Sequence, residues 1–443
     1  MIRLALIPLV IIDHLCYPIA TMTLELEKLG TELTSMAAAA AEIVRDQRRR
    51  ATRLRELLAA HATDWPGIDA GLARAIAEQG DDPKFFRAAR PLRTDERLDL
   101  GVMPGPPPAR ATIIASDGSQ IMPNRHAAFL YSLINIGVFI YHHGTPDAPD
   151  IYSTPVIFYP QPGDDDRTDD EPGFDKAEVT IARDKREIAT LADTAWTYRT
   201  VAPLTLAVLD QRLLYWPFGG TNRDAETAVT DWLKAMTKAR DAGALLAGYI
   251  DRPGKRSVVT MLKTLSDDPD MNWKKLGKRP PHGELTDADL YATILEPGQR
   301  SPVFVDVSPA NTRFAEVDPR NEVCFFYLNP GFASPELDGE DKALSGRGLA
   351  RVDIPMWVAR DPRAVAAVHS LLVDQCRIVG DYPYVLMRAD ELAVVGRDDE
   401  ANLNLMIDQY MQRAGIQGSI TAKQDSKEIA RGGRGRHDFS RHG

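Results

Sequence analysis

A chain of 443 residues exceeds what one simple core accommodates, and an apolar fraction of 44% belongs to a folded globule and excludes a wholly disordered chain. The formal net charge of −10 excludes a protein that coats nucleic acid with its whole surface, while leaving room for a local basic channel. Cys16, Cys324 and Cys376 are odd in number, far apart and without metal-ligand spacing, which fits a reducing compartment and assigns them no chemistry.

Residues 2–12 form an apolar run that faintly resembles a signal peptide, but it is too short to span a membrane and is broken by Asp13 and His14. Met22 opens a more conventional soluble start, so residues 1–22 are expected to be largely an upstream extension. With no other candidate span, a cytoplasmic protein with no membrane partner is expected. Residues 23–61 lack proline and are rich in Ala, Glu, Leu and Arg, which predicts one long helix. Its alanine run, 37–41, suits pairing with another helix; a dimer or partner arm and packing on the chain's own core stand level. A shorter helix is expected over 68–79. The Pro-rich segment 103–108 then reads as a linker between a helical N-terminal region, 23–102, and a core, 103–395.

The core opens on Ala111-Thr112-Ile113-Ile114-Ala115-Ser116-Asp117-Gly118-Ser119. A β-branched and apolar run that stops in Asp-Gly-Ser predicts a buried strand delivering Asp117 at its end, with a sharp turn at Gly118 and Ser119 bonding to nearby amides. Residues 126–142 suit a second core strand, joined through a turn at Pro123-Asn124. Residues 145–170 are rich in Pro, Asp and Gly and read as loop. Residues 174–195 turn helical, with charges on most faces. A second apolar run, 204–209, ends in Asp210, and 213–218 is expected to continue that strand. A helix over 224–244 leads through 245–250 into Asp251-Arg252-Pro253. Then come a helix over 257–265, a polar loop over 267–289, strands at 302–307 and 322–328, and helices over 362–379, 384–395 and 400–413. A Tyr382-Pro383 break precedes the second of these helices, and a basic Gly/Arg-rich tail closes the chain. The alternation predicts an α/β fold with a mixed sheet and flanking helices.

Missing motifs narrow the chemistry. The chain has no phosphate-cradling Gly-Lys-Ser/Thr loop, dinucleotide-binding glycine pattern, Gly-x-Ser-x-Gly turn or His-Glu-x-x-His helix. Dispersed carboxylates remain. Asp117 and Asp210, at the ends of two core strands, can converge, and converging carboxylates are what hard divalent cations require. His142-His143 is set aside as a metal pair because neighbours on a strand point to opposite faces. Trp196, Trp216 and Trp273 could stack on bases, though packing is the commoner use.

The Asp117-Gly118-Ser119 strand, the Asp210 strand, the 246–253 segment with Asp251-Arg252-Pro253, and the later Tyr382-Pro383 break occur in one order, and together they resemble the NurA family of nucleases over about residues 105–395. The resemblance implies an RNase H-like core, a homodimer, and Mn2+-dependent (or Mg2+-dependent) cleavage of DNA, typically from the 5′ end. It also implies a HerA-type hexameric ATPase as partner in processing DNA ends, in repair or in defence. Residue by residue, Asp117 and Asp210 match the family's two strand acids, and Glu187 matches its helix glutamate, with Glu178 on the same helix as the competitor. Tyr382 matches the tyrosine of the break. Eight residues on, where the family has histidine, this chain has Asp390, which could serve as an oxygen ligand or mark a weakened member. The implied metal ligands are Asp117, Glu187, Asp210 and Asp390. Two alternatives stay open: a catalytically weakened NurA-like subunit that binds DNA and stimulates the ATPase, and an unrelated carboxylate-dependent hydrolase.

Overall fold

A computed structural model describes residues 29–78, 86–124, 129–160, 176–217, 222–266, 285–331 and 348–416. The expected N-terminal extension, the basic cluster 274–279 with Trp273, and the Gly/Arg-rich tail lie outside the described residues. Among the described residues no helix is long and apolar enough to cross a membrane.

One mixed sheet organises the molecule. Its strands are β1 (Ala88–Pro91), β2 (Ala111–Ile121), β3 (Ser132–His143), β4 (Asp150–Phe158), β5 (Thr205–Leu209), β6 (Leu245–Asp251), β7 (Phe304–Val307), β8 (Val323–Leu328) and β9 (Ala350–Pro355). They lie in the order β1-β7-β8-β9-β6-β5-β2-β3-β4. The stretch β4-β3-β2-β5-β6 is an antiparallel meander whose first strand then takes two parallel neighbours, the arrangement of an RNase H-like core. The remaining four strands extend it with antiparallel pairs. Parallel β2 and β5 sit mid-sheet with helices on both faces, so their sequences are continuous apolar runs and do not alternate. Ile114 packs with α3 (Lys176–Tyr198) and α4 (Asn222–Asp241) on one face. Ile113 and Ala115 pack with α9 (Pro362–Val379) and α10 (Tyr384–Ala393) on the other.

Several sequence expectations change. β2 does not stop at Asp117: it runs to Ile121, with Asp117 opposite Gly137, Gly118 opposite Ile136 and Ser119 opposite Asn135. β3 supplies a ladder partner for the whole Asp-Gly-Ser segment, so Gly118 makes no turn. What does end here is the parallel neighbour, since the β2–β5 pairing closes at Ser116 opposite Leu209. Beyond that point the sheet opens and leaves Asp117 facing a crevice.

Residues 145–170 were expected to be loop but contain β4. Its Pro155 is tolerated because β4 is an edge strand, where a missing donor costs no ladder bond on the open side. Residues 213–217 are not a strand. The Leu213 amide donates to buried Asp353 at 3.1 Å and the Trp232 indole donates to the Leu213 carbonyl at 2.9 Å, so the groups a ladder would need are taken. The region read as helical also contributes the edge strand β1, and the loop over 267–289 ends in a short helix, α6 (Asp287–Tyr291). Helices α7 (Pro309–Val317) and α8 (Met356–Ala359) and strand β9 add to the expected set. The long helix α1 (Gly30–Ala60) buries only Ala51, Leu54 and Leu58, against α5 (Ser257–Thr264) and α6, while Leu33 and Met36 stay exposed. The last helix described is α11 (Arg397–Arg413).

Candidate active site

The crevice at the end of the β2–β5 ladder gathers acids from four elements. Asp117 comes from β2. Asp390 comes from α10, which lies directly on β3: a Cβ built at Gly137 would meet the Ala393 nitrogen at 2.4 Å and the Ala389 carbonyl oxygen at 2.7 Å. Gly137 is the ladder partner of Asp117, so the one position without a side chain lets the helix bring Asp390 over that acid. The helix end is pinned there. Ser119 donates to the Ala393 carbonyl, and Asn135 donates to the carbonyls of Leu392 and Ala393 at 3.2 and 2.9 Å, satisfying acceptors that a helix C-terminus leaves open. Ser119 of the Asp-Gly-Ser motif therefore holds a neighbouring helix and not its own turn. Ser119→Ala should destabilise the fold by about 1 kcal/mol and lower turnover several-fold, read by thermal unfolding and by steady-state rates.

Glu187 comes from α3. The Ser116 hydroxyl donates to the Glu187 backbone carbonyl at 3.1 Å, fixing that turn of helix against β2 beside Asp117. The Glu187 side chain is 3% exposed and accepts from Gln211 Nε2 at 3.0 Å. Its charged neighbours point elsewhere: Lys185 pairs with Asp231 at 2.7 Å, and Arg186 lies over the Phe158 ring. Glu178 sits nine residues earlier, about 13 Å along the axis at 1.5 Å per residue, in the first turn of the helix. Of the two candidates, Glu187 faces the crevice.

Asp210 follows β5 at once, and the turn after it can pass over β6 because Gly248 has no Cβ; one built there would lie 2.3 Å from the Gln211 carbonyl. The Tyr382 hydroxyl reaches Asp210 as donor, and the Tyr382 ring is held edge-on by Tyr249 at 5.5 Å. Asp251, at the end of β6, adds a charge close enough to act on Asp210. It obeys the same rule that identifies Asp117 and Asp210, an acid closing an apolar core run, and could have been read from Ile250-Asp251. Gln211, Arg183 and Gly137 carry no such signal. Arg252, next to Asp251, has φ of 47°, the one non-glycine left-handed residue among those described. The two histidines face different acids, His142 toward Asp150 and His143 toward Asp374.

The electrostatics are those of crowded anions. Burial, then Asp390 within hydrogen-bonding reach and the charge of Asp210, push the Asp117 carboxyl up to about 6, against the opposing pull of the Gly118 amide. Burial and the charge of Asp117 push Glu187 well above the usual carboxylate range, and Arg183 only partly offsets them. Asp210 is also raised, by lost hydration first and by Asp251 and Asp390, against the Tyr382 hydrogen bond. Among the described residues no three Asp, Glu, His or Cys groups stand close enough to hold a metal ion as they are placed. Yet the donor set is all carboxylate oxygen, the charge of Asp117 and Glu187 is only partly offset by Arg183, and Asp251 and Asp390 are open to solvent. Such a set fits hard divalent cations once side chains rotate inward.

A profile of the NurA domain matches residues 111–395, well over half of the chain. Among solved structures, the NurA nuclease from Sulfolobus solfataricus is similar with 12% identity and a TM-score of 0.40, over 71% of this chain and 87% of that one. The catalytic domain of human endonuclease V is similar with 11% identity and a TM-score of 0.28, over 67% of this chain and 83% of that one. No curated protein matches the chain. The matched residues run from the first residue of β2 through α10, and so contain Asp117, Glu187, Asp210, Asp251, Tyr382 and Asp390. On the strength of that match the chain belongs to the NurA family.

Proposed function

We propose that the chain is a deoxyribonuclease that hydrolyses DNA phosphodiester bonds with divalent cations held by Asp117, Glu187, Asp210 and Asp390. The observation that carries this reading is the gathering of acids from β2, α3, β5 and α10 at one crevice, with Asp117, Glu187 and Asp210 raised by burial first and by the charge of neighbouring acids second. Bound Mn2+ or Mg2+ would supply positive charge opposite the scissile phosphate and acidify an attacking water. The chain's own residues prepare the place. Gln211 fixes one oxygen of Glu187, and Tyr382, turned toward Asp210, restricts that carboxylate to one orientation. Asp390, on the exposed rim, supplies oxygen where the family pattern has a histidine. A homodimer, a HerA-type hexameric ATPase as partner, and attack from the 5′ end complete the reading. The exposed N-terminal half of α1, with Leu33 and Met36, offers a surface for a second copy.

The test is degradation of end-labelled linear DNA with Mn2+, with Mg2+ and with a chelator. Metal-dependent degradation that disappears in Asp117→Ala is expected. A second reading, a non-catalytic subunit that binds DNA and stimulates the ATPase, is motivated by Asp390. It takes over if no cleavage occurs even with a HerA-type partner and ATP.

Cation binding should also be visible without turnover. Because Asp117 is raised from 3.8 to about 6 in the fold, the metal-free protein is most stable below pH ~4 as far as this group is concerned. It loses that contribution as pH rises through about 6. A cation removes the penalty of the ionised form, so excess Mn2+ should raise the thermal midpoint by about 3 °C at pH 7.5 and by less at pH 5. An equal shift at both pH values would place the ion elsewhere.

A further inference from the structure

Next to the acidic crevice lies a pocket of opposite character. It encloses about 480 Å³, and its polar walls are Arg87, Arg212, Lys255, Arg313 and Ser308, with Trp216 as the largest apolar wall and no carboxylate among the described residues that line it. In a chain of net charge −10, four cations around one cavity are a local reversal of sign. Among the described residues neither Lys255 nor Arg313 forms a salt bridge, although the charges of Asp306 and Asp353 reach Lys255, and Arg313 lies 5.1 Å from the Trp216 ring. Lys255 is held largely out of water, which lowers its affinity for a proton, and Arg87 is affected in the same direction. Buried Asp306 is held by Arg351 at 3.0 Å, and its charge also reaches Lys255 and Arg87. Ser308 caps α7 by accepting from the Asn311 amide at 3.4 Å, so the positive end of that nine-residue helix also faces the cavity.

The position is as informative as the charge. Arg212 is two residues beyond Asp210, and Lys255 is four beyond Asp251. At no more than ~3.6 Å per residue those gaps are at most about 7 and 14 Å. A strand end held in the pocket would therefore present a linkage one or two nucleotides inward to the acids. The volume suits one nucleotide unit and not a passing duplex. The charge suits a phosphate monoester, which carries about −1.5 to −2 at neutral pH, better than an internal diester with its single charge.

Resting on the nuclease reading above, we propose that this pocket is a subsite for the terminal phosphate monoester of a DNA strand, with Lys255, Arg313, Arg87 and Arg212 gripping the phosphate and Trp216 walling the sugar or base. The strand end is thereby measured from the cutting site, and ends bearing a phosphate are preferred over ends bearing a hydroxyl.

The experiment is equilibrium binding in chelator, so no cleavage intervenes. Internally labelled oligonucleotides end in a 5′-phosphate, a 3′-phosphate or hydroxyls only, with inorganic phosphate and a nucleoside monophosphate as competitors. One class of phosphate end should bind the wild-type protein about tenfold more tightly than hydroxyl ends, and in Lys255→Gln/Arg313→Gln that ratio should fall to about one. Arg313→Gln alone, at an exposed position on α7, should lower the ratio severalfold and guards against misfolding of the double variant. Equal affinity of the wild-type protein for all ends overturns the proposal. So does a uniform loss for every end in the variants, which would make the pocket a grip on the strand interior. Tight binding of the free monoester without any preference among DNA ends also overturns it. Because binding is read without cutting, a protein that discriminates ends but never cleaves DNA would refute the nuclease reading and keep the pocket.

Discussion

Asp117→Asn is expected to lower DNA cleavage by roughly a thousandfold or more while making the metal-free protein more stable at neutral pH. The opposite signs come from one cause. Asp117 is flanked by Asp390, Asp210 and Glu187, with Arg183 as the cation that acts on both Glu187 and Asp117. Burial first, and then the company of those acids, make its ionised carboxyl costly and push it up to about 6. Partial access of water to the crevice softens the penalty, leaving something on the order of 1–2 kcal/mol at pH 7. Asparagine has the same shape, keeps an oxygen to accept from the Gly118 amide, and removes the charge. It also removes what a divalent cation needs. The two readouts are thermal unfolding in chelator at pH 7 and cleavage with Mn2+, and the Mn2+-induced rise in midpoint should shrink in the same variant. A variant that cuts DNA at the wild-type rate would take Asp117 out of the site. One that cuts nothing but unfolds at a lower temperature would mean that hydrogen bonds to the carboxylate outweigh the repulsion.

Much of this site is legible in the sequence, for a reason specific to its acids. A carboxylate that ends an apolar core run has no solvated face to explain it, and this is the signal at Asp117 and Asp210; Asp251, after Ile250, carries it equally well and acts on Asp210. Glu187 carries no such signal. It lies in a helix among Lys185, Arg186 and Asp184, where a salt-bridged outer face is the ordinary expectation, and only the family resemblance singles it out. Its burial depends on α3 being clamped to β2 by Ser116, a contact between residues 71 apart in the chain. The misreadings have the same origin. Gly118 looks like a turn because the ladder that keeps it extended is supplied by β3. Residues 213–217 look like a strand because their aromatics are buried, but Asp353, 140 residues away, takes the Leu213 amide. β4 is hidden by Pro155, which is acceptable only at a sheet edge. In each case local chemistry is read correctly and a distant partner decides the outcome.

Gly137 shows how far that dependence reaches, since it sits unremarked in an apolar strand and yet sets the position of an acid on another element. Gly137→Ala should reduce cleavage about a hundredfold, the scale expected when a reacting group is misplaced by about 1 Å. It should also destabilise the fold by about 1–3 kcal/mol through overpacking. The new methyl would stand 2.4 Å from the Ala393 nitrogen and 2.7 Å from both the Ala389 oxygen and the Leu392 carbonyl carbon. All three are backbone atoms, so no side chain can swing away and α10 itself must retreat. The retreat pulls on the hydrogen bonds from Ser119 and Asn135 to the helix end and carries Asp390 away from Asp117. Two other glycines calibrate the effect. At Gly118 the obstacles are the Arg183 Cγ at 2.9 Å and the Ile136 Cδ1 at 3.0 Å, flexible atoms that can yield, so Gly118→Ala should be the milder change. At Gly254 a Cβ meets open space, and Gly254→Ala should be close to neutral. If displacement of Asp390 is the cause, Asp390→Asn should cost little further activity in the Gly137→Ala background, while costing much in the wild-type chain. Full additivity of the two changes would mean that Gly137 acts on the fold alone.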